Sequence, residues 1–179
     1  MDPSEIELLY GEEYQLNTSG QDEHIFYTEE GPISRSQVYY NWIKPFISSN
    51  WGTFVEIGCG EGRVLEKIST DFPIRNIIGF DGSHKAVEIG IKKGFNITQK
   101  IFQNKDELPR ADIFLLIGVL EHVEDPASFI NALIRSLNSN GRLILSIPIQ
   151  DYGGYDIFFK DHIWHFTVKQ FQALLIRVD

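Results

Sequence analysis

The sequence predicts an α/β domain on a doubly wound, mostly parallel sheet of five readable strands, preceded by an N-terminal helical cap. Three observations carry this. From Thr53 to Arg177, short apolar runs alternate with amphipathic segments of helical period, the pattern of strands joined by right-handed helical crossovers. Ile113 to Val119 is apolar throughout, as a central parallel strand buried on both faces must be. The first strand then runs into Gly58-Cys-Gly-Glu-Gly62, where glycines allow positive φ and close approach of a ligand to the backbone.

Residues 1–50 form the cap and 51–179 the domain proper. Within the cap, Gly11 to Gly31 has weak periodicity and reads as loop. Ile33, Val38, Ile43 and Ile47 suggest an amphipathic helix whose last turn is kinked or ended by Pro45. In the domain, strands are expected at Thr53–Ile57, Asn76–Phe80, Ile97–Phe102, Ile113–Val119 and Arg142–Ile147. Helices are expected at Arg63–Thr70, at His84–Lys93 behind the cap residue Ser83, from Pro126 to Leu137, and at Thr167–Arg177. Asn138-Ser-Asn-Gly141 separates the third of these from the last strand.

Composition narrows the function. The formal net charge is −9, which disfavours nucleic acid as a partner because such binding draws on phosphate neutralisation. The longest apolar run, Ile113 to Leu120, is far too short for a membrane span. The first residues lack the basic and apolar segments of a secretory leader. A single cysteine, Cys59, excludes a disulfide framework and a multi-cysteine zinc site. A cytoplasmic domain acting on a small-molecule substrate is the expectation.

Ligands of such sheets bind beyond the carboxyl ends of the strands. The glycine spacing Gly58-x-Gly60-x-Gly62 differs from that of dinucleotide enzymes. Glu56 lies near the end of its strand, where its carboxylate can face the turn. Asp81 ends the second strand, placed either to accept ribose hydroxyls or to favour the N-terminus of the next helix.

Val55-Glu-Ile-Gly-Cys-Gly-Glu-Gly62 resembles the first motif of class I S-adenosylmethionine-dependent methyltransferases. Gly118-Val-Leu-Glu-His-Val-Glu-Asp-Pro126 resembles the motif after the fourth strand in the ubiquinone-biosynthesis-like branch, and Asn140 to Pro148 resembles its fifth strand. His165-Phe-Thr167 is similar to the start of its following helix, so the likeness spans residues 53–177. The resemblance implies a Rossmann-like fold, S-adenosyl-L-methionine as cofactor, and transfer of a methyl group to a small-molecule acceptor. It places Gly58, Cys59, Gly60 and Gly62 around the methionine portion and Glu56 near its amino group. Asp81 would hold the ribose, with Gly82 and Ser83 beside the adenine. Asn104 stands where the family usually has an acid for the adenine amino group, and Ile117 with Gly118 would line the floor beneath the sulfonium.

Methyl transfer needs placement and dryness more than a catalytic triad. The candidate catalytic residues are His122, His162 and His165, the latter two as general base, since imidazole as a class takes up a proton near neutrality. Glu121, His122 and His162 resemble part of the metal site of small-RNA 2′-O-methyltransferases, but Gly118 stands where those enzymes carry a further Glu. No metal is therefore expected. Acceptor contacts should come from Gln150 to His165 and from cap residues including Tyr14, Tyr27 and Arg35, with Gly153-Gly154 letting the former move as a lid.

Family members continue past the last helix into two antiparallel strands, and this sequence ends at Arg177-Val-Asp179. Either the sequence is a fragment, or the missing edge is supplied by a partner or left open, and an open edge beside the fifth strand would allow a homodimer. A non-catalytic cofactor-binding or interaction module is the alternative function.

Overall fold

The computed structural model describes residues 23–102, 107–152, 155–159 and 161–178. The chain divides into two compact units, residues 1–101 and 102–179.

The first unit opens on a hairpin. Strands β1 (Ile25–Thr28) and β2 (Gly31–Ser34) pair antiparallel, with Ile25 opposite Ser34 and Thr28 opposite Gly31. Gly31 turns the chain at φ 117°, and Thr28 Oγ1 donates to its carbonyl at 2.8 Å. This corrects the expectation of loop up to Gly31 and of a purely helical cap. The connection Glu29-Glu30 lacks the Asn-Gly type of hairpin signal, and β1 is exposed at every position, so no alternation marks it. Helix α1 (Arg35–Ile43) follows, with Ser34 Oγ accepting from the Gln37 amide at 3.2 Å. It begins after Ile33, which belongs to β2, and passes into a 3-10 turn (Lys44–Phe46) at Pro45, where a helical amide is lost.

Strands β3 (Thr53–Ile57), β4 (Asn76–Asp81) and β5 (Ile97–Gln99) are connected through helices α2 (Arg63–Asp71) and α3 (His84–Lys92). The β3–β4 and β4–β5 pairs are parallel, with Glu56 opposite Gly79 and Asp81 opposite Gln99. β5 is shorter than the expected Ile97–Phe102. Helix α2 buries Val64, Leu65 and Ile68, and α3 buries Ala86, Val87 and Gly90. Ser83 caps α3 by accepting from the Ala86 amide at 3.3 Å.

The second unit is built on β6 (Ala111–Ile117), α4 (Pro126–Ser136), β7 (Leu137–Ser146) and α5 (Val168–Ile176). Ile113, Phe114 and Leu115 of β6 are fully buried, as is Leu133 of α4; each such side chain stabilises the fold by about 1.5–3 kcal/mol. Asp125 caps α4 through the Ser128 amide at 3.1 Å, and Thr167 forms a capping box with Gln170. β6 and β7 are parallel, with Ala111 opposite Leu137 and Ile113 opposite Arg142. The intervening Asn138–Gly141 is therefore a bulge within β7, with Asn140 at φ 63°. The turn signal there is real, but the strand starts before it and not at Arg142.

Within the first unit the parallel strands run in the order β5-β4-β3, and within the second β6 pairs parallel with β7. No helix among the described residues is long and apolar enough to cross a membrane.

Candidate functional site

In the first unit the glycine-rich turn is tied to the end of β4. Both the Gly58 and Cys59 amides donate to the Phe80 carbonyl, at 2.7 and 3.1 Å. The Gly60 amide donates to Asp81 Oδ2 at 2.7 Å, and the Ser83 amide to Asp81 Oδ1 at 2.8 Å. Asp81 thus gathers the turn, its own strand end and the start of α3 around one carboxylate, each oxygen of which keeps a second lone pair. Gly58, Gly60 and Gly62 adopt φ of 75°, 56° and 83°, a region costly for residues with a Cβ. A Cβ on Gly60 would meet nothing within 4 Å, so the backbone is bare there.

Glu56 is buried, at 3% exposure, and its Oε2 has no hydrogen-bond partner among the described residues. Burial pushes its carboxyl well above the usual range, and the negative charge of Asp81 adds to this. Burial likewise raises Asp81, against the lowering effect of the Ser83 and Gly60 amides. The Cys59 thiol is pushed well up by burial and then by Glu56 and Asp81. Buried Glu56 and half-buried Asp81 thus lie beside a bare glycine turn, where a cationic ligand would favour their charged forms.

The structure brings Glu56, Gly58, Cys59, Gly60, Gly62, Asp81, Gly82 and Ser83 into this one neighbourhood at the ends of β3 and β4. Asn104 lies outside the described residues, as do Tyr14 and the Gly153-Gly154 hinge. Two further glycines, not singled out from the sequence, shape the site. A Cβ on Gly79 would stand 2.6 Å from Cys59 Sγ and 2.8 Å from Leu65 Cδ1. One on Gly90 would stand 3.2 Å from the Glu61 carbonyl oxygen. An isolated glycine inside a strand, as at Gly79, is the signal that marks such close approach.

The remaining candidates belong to the second unit. Ile117 ends β6, and Gly118 follows at φ 64° with its amide donating to the Ser146 carbonyl at 2.9 Å. A 3-10 turn (Leu120–His122) carries Glu121, which is 2% exposed, and His122. The Glu121 carbonyl accepts from the Ile163 and Trp164 amides at 2.9 and 3.1 Å, and Trp164 Nε1 donates to the Val123 carbonyl at 2.8 Å. These bonds hold the loop bearing His162 and His165 on that turn. The His122 and His162 rings meet edge to face at 4.7 Å, His162 stacks on Phe159 at 4.9 Å, and His165 lies 6.4 Å from His162. Asp161 faces His122 Nδ1 with its carbonyl at 2.9 Å and with its carboxylate at 3.5 Å.

A methyltransferase domain model matches residues 36–178. The chain is 27% identical over 132 residues to the tRNA U34 carboxymethyltransferase of Aliarcobacter butzleri, covering 68% of this chain and 42% of that relative. It is 24% identical over 171 residues to the ubiquinone biosynthesis O-methyltransferase of Hydrogenovibrio crunogenus, covering 87% and 69%. The chain thus spans less than half of the first relative's length. Among solved structures, the plantazolicin methyltransferase BpumL in complex with SAH superposes with a TM-score of 0.61 at 18% identity, covering 78% of this chain and 60% of that one. With the match running from α1 to the end of α5, the chain belongs to the methyltransferase domain family and has the class I S-adenosylmethionine-dependent methyltransferase fold.

Proposed function

We propose that the chain is an S-adenosylmethionine-dependent methyltransferase acting on a small-molecule acceptor. The observation that carries the cofactor is Glu56, a buried carboxylate with one oxygen lacking a partner among the described residues, beside a glycine turn held open by Asp81. Such a group calls for a cationic donor, and the ammonium of a methionine moiety supplies one. In this reading Glu56 takes the amino group, Asp81 the ribose hydroxyls, and Gly82 and Ser83 flank the adenine. Ile117 and Gly118 line the methyl-bearing end, as the resemblance implies.

S-adenosylmethionine brings an already activated methyl group, so the protein's part is to position the acceptor and exclude water. Of the three histidines, His162 and His165 are the candidates for the base that takes the acceptor's proton, since imidazole as a class takes up a proton near neutrality. The net charge of −9 supports a small acceptor over a nucleic acid, although the Aliarcobacter relative is named for tRNA.

The test is calorimetric titration of S-adenosylhomocysteine into the purified chain, with Asp81→Ala as control. Saturable binding lost in the variant supports the site, and labelled-methyl transfer in an acceptor screen then supports the enzyme. Binding without turnover on any acceptor favours a non-catalytic cofactor-binding module. Failure of a folded chain to bind overturns the reading.

A further inference from the structure

We propose that Arg63 is a positioning residue that couples the glycine turn to the N-terminal cap, so that occupancy of the turn tightens the cap and a closed cap tightens what the turn holds. Arg63 is the first residue of α2, directly after Gly62. Its Nε lies 2.5 Å from Glu61 Oε1, and its Nη1 lies 3.5 Å from Glu23 Oε2. One guanidinium thus spans a carboxylate inside the turn and a carboxylate at the start of the described cap. All of these residues belong to the first unit.

Each end of the bridge is fixed to an element it can move. Glu61 stands between Gly60 and Gly62, at φ 56° and 83°, and is 6% exposed. A carboxylate so buried requires a cation, and Arg63 and Lys93, the latter at 3.2 Å, ion-pair with it. At the other end, Glu23 accepts from the amide and from the Oγ of Ser36, the second at 2.9 Å. Ser36 is buried in the first turn of α1, where amides have no partner within the helix. Glu23 therefore anchors the start of α1, and the His24 carbonyl adds the Arg35 amide at 2.9 Å. A shift of the turn moves Glu61 and, through Arg63, the carboxylate on which α1 begins.

The bridge needs arginine, because a guanidinium presents donors on separate edges whereas a lysine ammonium is one point charge. The rest of α1 is held on α2 by other bonds. Lys67 Nζ donates to Gln37 Oε1 and Lys44 Nζ to Asp71 Oδ2, both at 2.9 Å, and the Tyr40 hydroxyl donates to the same Asp71 oxygen. These keep the cap docked when the bridge is cut. The Arg63 side chain is 31% exposed, and ion pairs of such exposure contribute little to global stability. Cutting the bridge therefore acts on the coupling, which is reciprocal between the two sites. Only the identity of the ligand rests on the methyltransferase reading.

Amide hydrogen exchange followed by NMR tests this, with the Ser36 and Gln37 amides reporting the cap and a β3 amide reporting global opening. S-adenosylhomocysteine should slow the cap amides by about fivefold or more in the parent, the low end of site-to-site coupling. In Arg63→Gln that slowing should vanish, and calorimetric affinity should fall by the same factor. Arg63→Lys should restore neither. Glu23→Gln, which alters no residue of the turn, should weaken binding as much as Arg63→Gln, and the double variant no more than either. Additive losses, or cap protection that survives Arg63→Gln, would mark Arg63 as merely structural and overturn the proposal. If the parent does not bind S-adenosylhomocysteine, the methyltransferase reading fails by itself, and Asp81→Asn replaces the ligand as the perturbation by loosening the turn. Cap exchange relative to the β3 amide should then rise with Arg63 present and stay level in Arg63→Gln. An equal rise in both backgrounds, or none in either, overturns the coupling.

Discussion

The Gly60 amide donates to Asp81 Oδ2 at 2.7 Å, joining the glycine-rich turn after β3 to the end of β4. The other oxygen of the same carboxylate takes the Ser83 amide. Asp81 therefore organises the site before any ligand arrives, and its two backbone bonds and its proposed ribose role draw on different lone pairs.

Asp81→Asn tests that double duty. An amide offers one acceptor oxygen, so its NH₂ must face either the Gly60 or the Ser83 amide, leaving a buried donor without an acceptor. A loss of about 1–3 kcal/mol of stability is expected in urea unfolding, together with at least tenfold weaker S-adenosylhomocysteine binding. A variant as stable and as tight as the parent would contradict the arrangement.

Glu56→Gln separates stability from function. Burial holds the Glu56 carboxyl above its ordinary range, so the folded state binds the proton more tightly than the unfolded chain. The stability this group contributes is present below the ordinary glutamate range and is lost as pH rises through the raised one. Asp81 acts in the same direction. The glutamine variant should melt at or above the parent at pH 7, with the gap closing on acidification. Its affinity for S-adenosylhomocysteine should fall by tenfold or more, since charge-assisted bonds contribute about 1.5–3 kcal/mol. Differential scanning calorimetry across pH, alongside titration, reads both effects.

Gly79→Ala probes the close packing behind the turn. The new Cβ meets Cys59 Sγ and Leu65 Cδ1 inside contact distance, and overpacking of this kind costs about 1–3 kcal/mol. Adding Cys59→Ala should restore part of the loss, because it removes the nearest atom but not Leu65. Additive effects of the two changes would show that the contact is not the cause.

Cys59 should resist thiol reagents in the native protein. It is buried, and the raised thiol pKa keeps the reactive thiolate scarce. Ellman's reagent at pH 8 should label it only at the rate of unfolding, and rapid labelling of the folded chain would refute this.

Much of the architecture was legible in local pattern. β3 spans Thr53–Ile57 as its apolar run predicts, and Ser83 acts as the helix cap its position suggests. The period of side-chain burial and the chemistry of caps are carried by neighbouring residues, so they survive reading in one dimension. The hairpin before α1 was not legible, because both its strands are short and β1 is exposed at every position. Nor was the course of β7 across Asn138–Gly141, since a turn signal in sequence does not say whether pairing resumes beyond it.

For the site, the sequence by itself determined which residue types stand at the strand ends: the glycines of the turn, Glu56, Asp81 and the histidine-bearing segments. Only the tertiary structure decided their partners. That Asp81 closes on Gly60, that Gly79 makes room for Cys59, and that Glu121 and His122 meet His162 are matters of long-range register and backbone hydrogen bonding. Those contacts join residues far apart in the chain, and many involve backbone atoms that every residue carries, so side-chain identity cannot announce them.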